Sequence, residues 1–241
     1  GAVLDPEAVK LARAEELRFF KKMGVYEKVP RYLSRGKKVI RTRWIDTNKG
    51  DEANPDLRSR FVGEEFADTV DPNLYAATPP IEAMRFIISM AATNTGHEKK
   101  MLMTNDVRRA YFHAAIEREV YVEVPKKYRE EGDGDVVGRL KLCLYGTRDA
   151  AHRWQETVTE HLEKISYTRR QAHPAVFYNS KRKLYTLVNG DDYLSCGTQA
   201  DLELLKDRLT EASDTKMQLI GHEAQGAKEE KMLNRAVRAV P

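Results

Sequence analysis

The stretch Leu184-Tyr-Thr-Leu-Val-Asn-Gly-Asp-Asp-Tyr-Leu-Ser-Cys196 constrains this chain more than any other. Two short apolar runs flank Asn189-Gly190, a dipeptide that strongly favours a tight hairpin. Asp191 and Asp192 then fall at or beside the tip of the turn. Adjacent acids on a soluble turn are common, and alone they say little. They gain meaning if a third carboxylate stands in a matching context, because a divalent cation converts their mutual repulsion into affinity.

Asp106 supplies that context. Met101 and Met103 give a short apolar alternation leading into it, and Arg108 to Phe112 follow as a turn or helix start. Asp106 is then expected at the C-terminal end of a strand, with backbone N–H groups exposed just after it. Such a position suits a metal or a phosphate, and equally an ordinary helix cap.

The 241 residues are enough for one large domain or two lobes. A hydrophobic content of 41% supports a packed core, and a net charge of +4 is compatible with nucleic acid without requiring it. From Arg31 to Arg43 there are six cations and no acid. That segment reads equally as a solvated face or as a phosphate-contacting one. Two distant cysteines, Cys143 and Cys196, suggest buried thiols in a reducing compartment rather than a disulfide. No histidine–cysteine spacing suggests structural zinc, and no apolar run approaches the length of a membrane span. The chain opens on Gly rather than Met, which suggests a piece of a longer polypeptide.

Asp5-Pro6 predicts a helix start and Gly24 its end. Strands are expected within 25–46, at 58–62, at 120–124 and at 136–144. A helix after Pro79-Pro80 should carry Ile81, Met84, Ile88 and Ala91 on one face. Another should carry Ala151, Trp154, Val158, Leu162 and Ile165 at spacings of three and four. Residues 126–135 read as a charged loop. Thr198 with Asp201 resembles a capping box ahead of Leu202, Leu205 and Leu209. The last thirty residues are polar, with one short helix expected at Glu229–Val237. Strands and helices mix without regular βαβ alternation, which argues an α+β fold.

Five motifs in order give the chain a resemblance. Arg58-Ser-Arg-Phe-Val62, Asn105-Asp-Val-Arg-Arg-Ala-Tyr111, Glu119-Val-Tyr-Val-Glu-Val-Pro125, Leu144-Tyr-Gly-Thr-Arg-Asp-Ala-Ala-His-Arg-Trp154 and Gly190-Asp-Asp-Tyr193 resemble segments of Ty1/copia-type retrotransposon reverse transcriptases. The similarity runs from roughly residue 20 to residue 237. It implies a right-hand polymerase with fingers and palm, an antiparallel palm sheet with packed helices, and a thumb largely missing. Approximate divisions are 1–100 for an N-terminal helix and fingers, 101–228 for the palm with fingers elements returning near 125–150, and 229–241 for the start of a thumb or connector. No RNase H, integrase or protease signature is seen.

The implied activity is RNA-directed DNA synthesis: deoxynucleotides are added to a primer 3′-hydroxyl by two-metal phosphoryl transfer. The alternative is a decayed or truncated retroelement-derived domain that binds nucleic acid without synthesis. By the resemblance, Asp106, Asp191 and Asp192 are catalytic, and with the Val107 backbone they hold two Mg²⁺ or Mn²⁺ ions. Arg60, and less directly Arg58, would grip the incoming triphosphate. Val107, Arg108, Arg109, Ala110, Tyr111 and Asp149 would border the nucleotide. Tyr111 would be the aromatic gate against a 2′-hydroxyl. Implied partners are a primed RNA or DNA template and deoxynucleoside triphosphates, with no membrane. The implied setting is intracellular, in a cytoplasmic particle or the nucleus.

The pattern departs from the family in three places. Asp149 replaces a Gln that contacts nucleotide and Ala151 replaces Pro in the same motif, Asn189-Gly190 replaces Tyr-Val, and Gly63-Glu64-Glu65 replaces Ala-Lys-Gly. A carboxylate at 149 should repel a triphosphate unless a cation offsets it.

Overall fold

The computed structural model describes residues 4–51, 53–66, 74, 76–93, 99–125, 128–220, 229–232 and 235–238. It is mixed α+β, with four α-helices and mainly antiparallel sheets among the described residues. The chain divides into two compact units, Gly1–Leu74 with Tyr111–Arg153, and Tyr75–Ala110 with Trp154–Pro241.

The first unit opens with α1 (Pro6–Met23), which has the expected ends. Asp5 accepts hydrogen bonds from the Glu7 and Ala8 amides, and Gly24 closes the helix at φ 65°. That left-handed conformation strains residues with a Cβ and explains the glycine. Next come β1 (Tyr26–Pro30), β2 (Val39–Ile40), β3 (Thr42–Asn48) and β4 (Leu57–Gly63). Later in the chain, β6 (Tyr121–Glu123) and β7 (Val136–Leu140) complete a four-stranded sheet ordered β1-β7-β6-β2. Its β2–β6 pair is parallel. The separate hairpin of β3 and β4 packs on α1. Phe20 sits edge-on to Phe61 and Phe112, with centroids 5.6 and 5.0 Å away, inside a core that includes Val25, Ile40, Val122 and Leu144. Each fully buried side chain of this size contributes about 1.5–3 kcal/mol.

Much of the basic segment is answered within this unit. Arg31 forks onto Glu123 at 2.8 and 2.7 Å and also reaches Asp135 at 2.8 Å. Lys37 pairs with Glu119. Part of the expected 126–135 loop lies outside the described residues.

The second unit is built on a six-stranded antiparallel sheet, ordered β12-β5-β11-β10-β9-β8. Its members are β5 (Met101–Val107), β8 (Thr168–Arg169), β9 (Val176–Asn179), β10 (Leu184–Asn189), β11 (Asp192–Gly197) and β12 (Thr215–Ile220). The alternation of inward side chains matches the pleat. Leu102, Leu187, Leu194, Cys196 and Ile220 share a core with α2 (Ile81–Ala92). That helix buries Ala83, Met84 and Ile87, a stripe rotated from the one expected; Ile88 and Ala91 are only half-buried. The division between units falls within α3 (Ala150–Lys164), whose Trp154, Val158 and Leu162 are buried as the periodicity predicts. In α4 (Gln199–Ala212), Thr198 caps the Asp201 amide and Leu202, Leu205 and Leu209 face inward.

Two expectations at the C-terminal end are corrected. Thr215–Ile220, read as part of a polar tail, is strand β12, paired antiparallel with Leu102–Val107 of β5. The helix expected at Glu229–Val237 is instead a hairpin of β13 (Glu229–Met232) and β14 (Arg235–Arg238). Cross-strand pairing sets Glu229 opposite Arg238, whose guanidinium it accepts at 2.5 Å. Opposite charges directly across a ladder favour the strand form. Both cysteines are free and buried, and burial pushes the Cys196 thiol up to about 11. No helix among the described residues is long and apolar enough to cross a membrane.

Candidate active site

In the second unit, the register of three strands brings the acidic residues together. Asp106, the penultimate residue of β5, stands directly opposite Asp192, the first residue of β11. Like charges across a ladder disfavour pairing, so the apolar pairs further along must hold this register. Leu194 opposite Thr104 and Cys196 opposite Leu102 lie on the same face, and a one-residue slip would turn that face inside out. On the other side of Asp106, β12 places Lys216 opposite it.

Asn189 pairs with Asp192, so the two turn residues are Gly190 and Asp191. The loop therefore lies one residue later than an Asn-Gly turn would put it. Gly190 takes φ 60° at the first central position, where a type II′ hairpin needs glycine. Its carbonyl accepts the Trp154 indole N–H at 2.7 Å. The Asp191 carbonyl accepts the Val107 amide at 2.9 Å, tying the end of β5 to the turn. The next amide, Arg108, donates to Asp214 at 2.9 Å. Arg109 follows at φ 53°, a conformation uncommon outside glycine, and Ala110 is buried. The expected row of N–H donors after Asp106 is thus partly used up in pinning the turn and β12.

We expect Trp154→Phe to keep the ring's packing but lose the bond to Gly190. The protein should lose about 1 kcal/mol of stability, read by urea unfolding, with an unchanged midpoint as the contrary result.

Asp106 is exposed, while Asp191 and Asp192 are half-buried. Burial first, then the charges of Asp191 and Asp106, push the Asp192 carboxyl up to about 6. The three carboxylates therefore share one electrostatic neighbourhood. Their oxygens are hard donors of the kind Mg²⁺ and Mn²⁺ prefer. Among the described residues no group of three or more His, Cys, Asp or Glu is placed so as to hold a metal ion. Mg²⁺ keeps several waters and is bound through one or two carboxylates together with substrate phosphates rather than by a closed protein cage.

The remaining sequence candidates lie in the first unit. One face of the β3–β4 hairpin lines a pocket of about 450 Å³. Arg43, Lys49, Arg58 and Arg60 supply four cations, and Tyr145 and Gly146 close one side. The Arg60 guanidinium lies 4.7 Å from the centroid of the Tyr145 ring, a cation–π distance. The Tyr111 ring stacks on the same tyrosine at 4.5 Å. Arg58 is engaged by Asp56 at 2.8 Å. Gly63 donates to the Tyr145 carbonyl at 2.7 Å, and a Cβ on Gly146, at φ 81°, would come within 2.0 Å of the Gly63 oxygen. Only glycine permits that crossing.

Asp149 is not at the pocket surface. It is 3% exposed and its carboxylate accepts Arg118 at 2.8 Å. The same guanidinium forks onto Glu65, at 2.8 and 2.5 Å. Arg118 carried no signal in the sequence, because its partners are 53 and 31 positions away.

Comparison with known proteins gives a match to the family model described as reverse transcriptase (RNA-dependent DNA polymerase) over residues 25–225. A retrovirus-related Pol polyprotein from transposon TNT 1-94 of Nicotiana tabacum is 26% identical over 88% of this chain. The corresponding polyprotein from transposon RE2 of Arabidopsis thaliana is 24% identical over 71%. The putative transposon Ty5-1 protein YCL074W of Saccharomyces cerevisiae is 28% identical over 37% of the chain and 30% of its own length. The chain spans 16% of the tobacco polyprotein and 12% of the RE2 polyprotein. The chain therefore belongs to the reverse transcriptase (RNA-dependent DNA polymerase) family, on its Ty1/copia-type branch.

Proposed function

We propose that this chain is the fingers and palm of an RNA-directed DNA polymerase, extending a primer 3′-hydroxyl with deoxynucleotides. The first unit serves as fingers and the second as palm. The observation that carries the reading is the register that sets Asp106 against Asp192 with Asp191 in the adjoining turn. A strand end and a hairpin tip, 85 positions apart (191 − 106), meet there and present carboxylates at one end of adjacent inner strands.

Asp106 and Asp191 would hold divalent cations, with Asp192 as electrostatic support and the Val107 carbonyl as a further oxygen. When bound, such cations lower the pKa of the attacking hydroxyl and stabilise the charge on the leaving pyrophosphate. The chain's own residues position the reactants. Arg60, braced on Tyr145, presents a planar fork to phosphate oxygens. Tyr111, stacked on the same ring, is held as a rigid wall against a 2′-hydroxyl. Template, primer and nucleotide are the substrates this arrangement serves.

Primer extension on an RNA template, with deoxy- or ribonucleotides and Mg²⁺ or Mn²⁺, tests the reading. Extension with deoxynucleotides is expected. Its absence, with primer–template still bound, would favour a nucleic-acid-binding remnant. In the same assay Tyr111→Ala should lower discrimination against ribonucleotides on the order of tenfold. Unchanged discrimination would remove Tyr111 from the gate role.

A further inference from the structure

Two of the departures from the family pattern, Glu65 and Asp149, converge on Arg118. Glu65 places a negative charge in the wall of a pocket lined by cations, and Asp149 is buried behind it on the same arginine. Glu65 belongs to the pocket wall, with 9% of its side chain exposed, and the Asp149 side chain is 4% exposed. One guanidinium serves both, with two bonds to Glu65 and one to Asp149. Glu65 also accepts the Arg148 amide at 2.9 Å, at the approach to α3. Its own amide donates to the Gly146 carbonyl at 3.1 Å. The Glu65 turn and the Gly146–Asp149 segment are thus stitched together on both main-chain and side-chain atoms. Arg118 keeps 39% of its side chain exposed, on the outer side of this knot.

We propose that Arg118 is the positioning residue of the triphosphate pocket: it neutralises Glu65 and Asp149 and turns their carboxylates away from the anionic substrate. This rests on the reading of that pocket as the triphosphate grip. A stranded Glu65 carboxylate in the wall of the pocket that holds Arg60, with Asp149 buried behind it, opposes a triphosphate more than the same charges in water. With the arginine present, one cation is shared by two acids; the pocket wall itself carries Arg43, Lys49, Arg58 and Arg60 against Glu64 and Glu65, with Glu64 paired to Arg43 at 3.5 Å. Glu65 and Asp149 become compatible with nucleotide binding only as a set with Arg118.

The test is anisotropy of a fluorescent deoxynucleoside triphosphate titrated onto the 241-residue chain with primer–template bound. Thermal unfolding is measured on the same samples. Arg118→Ala should weaken triphosphate binding on the order of tenfold. Adding Glu65→Gln and Asp149→Gln to Arg118→Ala should restore affinity to within about threefold, because no stranded charge remains. Arg118→Lys should keep affinity near wild type while lowering the unfolding temperature, since it preserves charge without the fork. A role in folding alone predicts a lower unfolding temperature with unchanged affinity in every folded variant, and that result overturns the proposal. So does a triple variant that folds but binds as weakly as Arg118→Ala. If wild type itself shows no saturation by triphosphate, the pocket reading fails and this inference with it.

Discussion

Asp191→Asn and Asp106→Asn should each reduce nucleotide addition by on the order of a hundred- to a thousandfold while leaving the fold intact. The size follows from what an anionic oxygen does at such a site. Losing one preorganised charge interaction at a reacting phosphate costs about 3–4 kcal/mol, and each 1.36 kcal/mol is tenfold in rate. The fold should survive because the structural links here use backbone atoms. The Val107 amide bonds to the Asp191 carbonyl, and Trp154 bonds to the Gly190 carbonyl. An amide side chain disturbs neither. Asp106 is exposed, so its neutral isostere carries little burial cost. Primer extension beside thermal unfolding checks both halves. Extension above about 10% of wild type would remove the carboxylate from the chemistry, and unfolding of either variant would make its role structural.

Much of the framework was legible because it is set by local physics. Asp5-Pro6 and Gly24 bound α1 through capping and a left-handed closing residue, both written in adjacent letters. The α3 stripe and the Thr198–Asp201 cap are readable for the same reason. Strand β12 was hidden because Lys216 and Gln218 alternate with only moderately apolar residues, and its partner β5 lies over a hundred positions upstream. The C-terminal hairpin was missed because Glu229–Arg238 pairing is a cross-strand fact, invisible to helical periodicity. The site divides along the same line. Motif order pointed to Asp106, Asp191 and Asp192, but their one-to-one register is a long-range outcome of the apolar pairs beside them. The exact turn moved by one residue because Asn189 stays in the ladder. Asp149 read as a threat to nucleotide binding, and nothing nearby in sequence announced that Arg118 would take it up.

Asp192 should make the metal-free protein less stable as pH rises, an inversion of the usual behaviour of a paired carboxylate. An ordinary aspartate in the unfolded chain titrates near 3.9. In the folded state burial and the neighbouring Asp191 and Asp106 charges hold Asp192 up to about 6. The folded state therefore binds the proton more tightly than the unfolded one. Its stabilisation is fully present below about pH 4 and is lost as pH rises through about 6. The difference amounts to roughly 2–3 kcal/mol at pH 8, as an upper estimate. Acids such as Asp46 and Glu123, whose arginine partners hold them below the usual range, act in the opposite direction at low pH. The clean observable is therefore the difference between wild type and Asp192→Asn in chelator. The variant should be the more stable at pH 8 and the two should converge below pH 4. Divalent cation should narrow the gap at pH 8, since it offsets the repulsion that the amide removes. A gap independent of pH would show that Asp192 pays no ionisation penalty in this fold, and a gap indifferent to Mg²⁺ or Mn²⁺ would separate Asp192 from any cation held at that end of the strands.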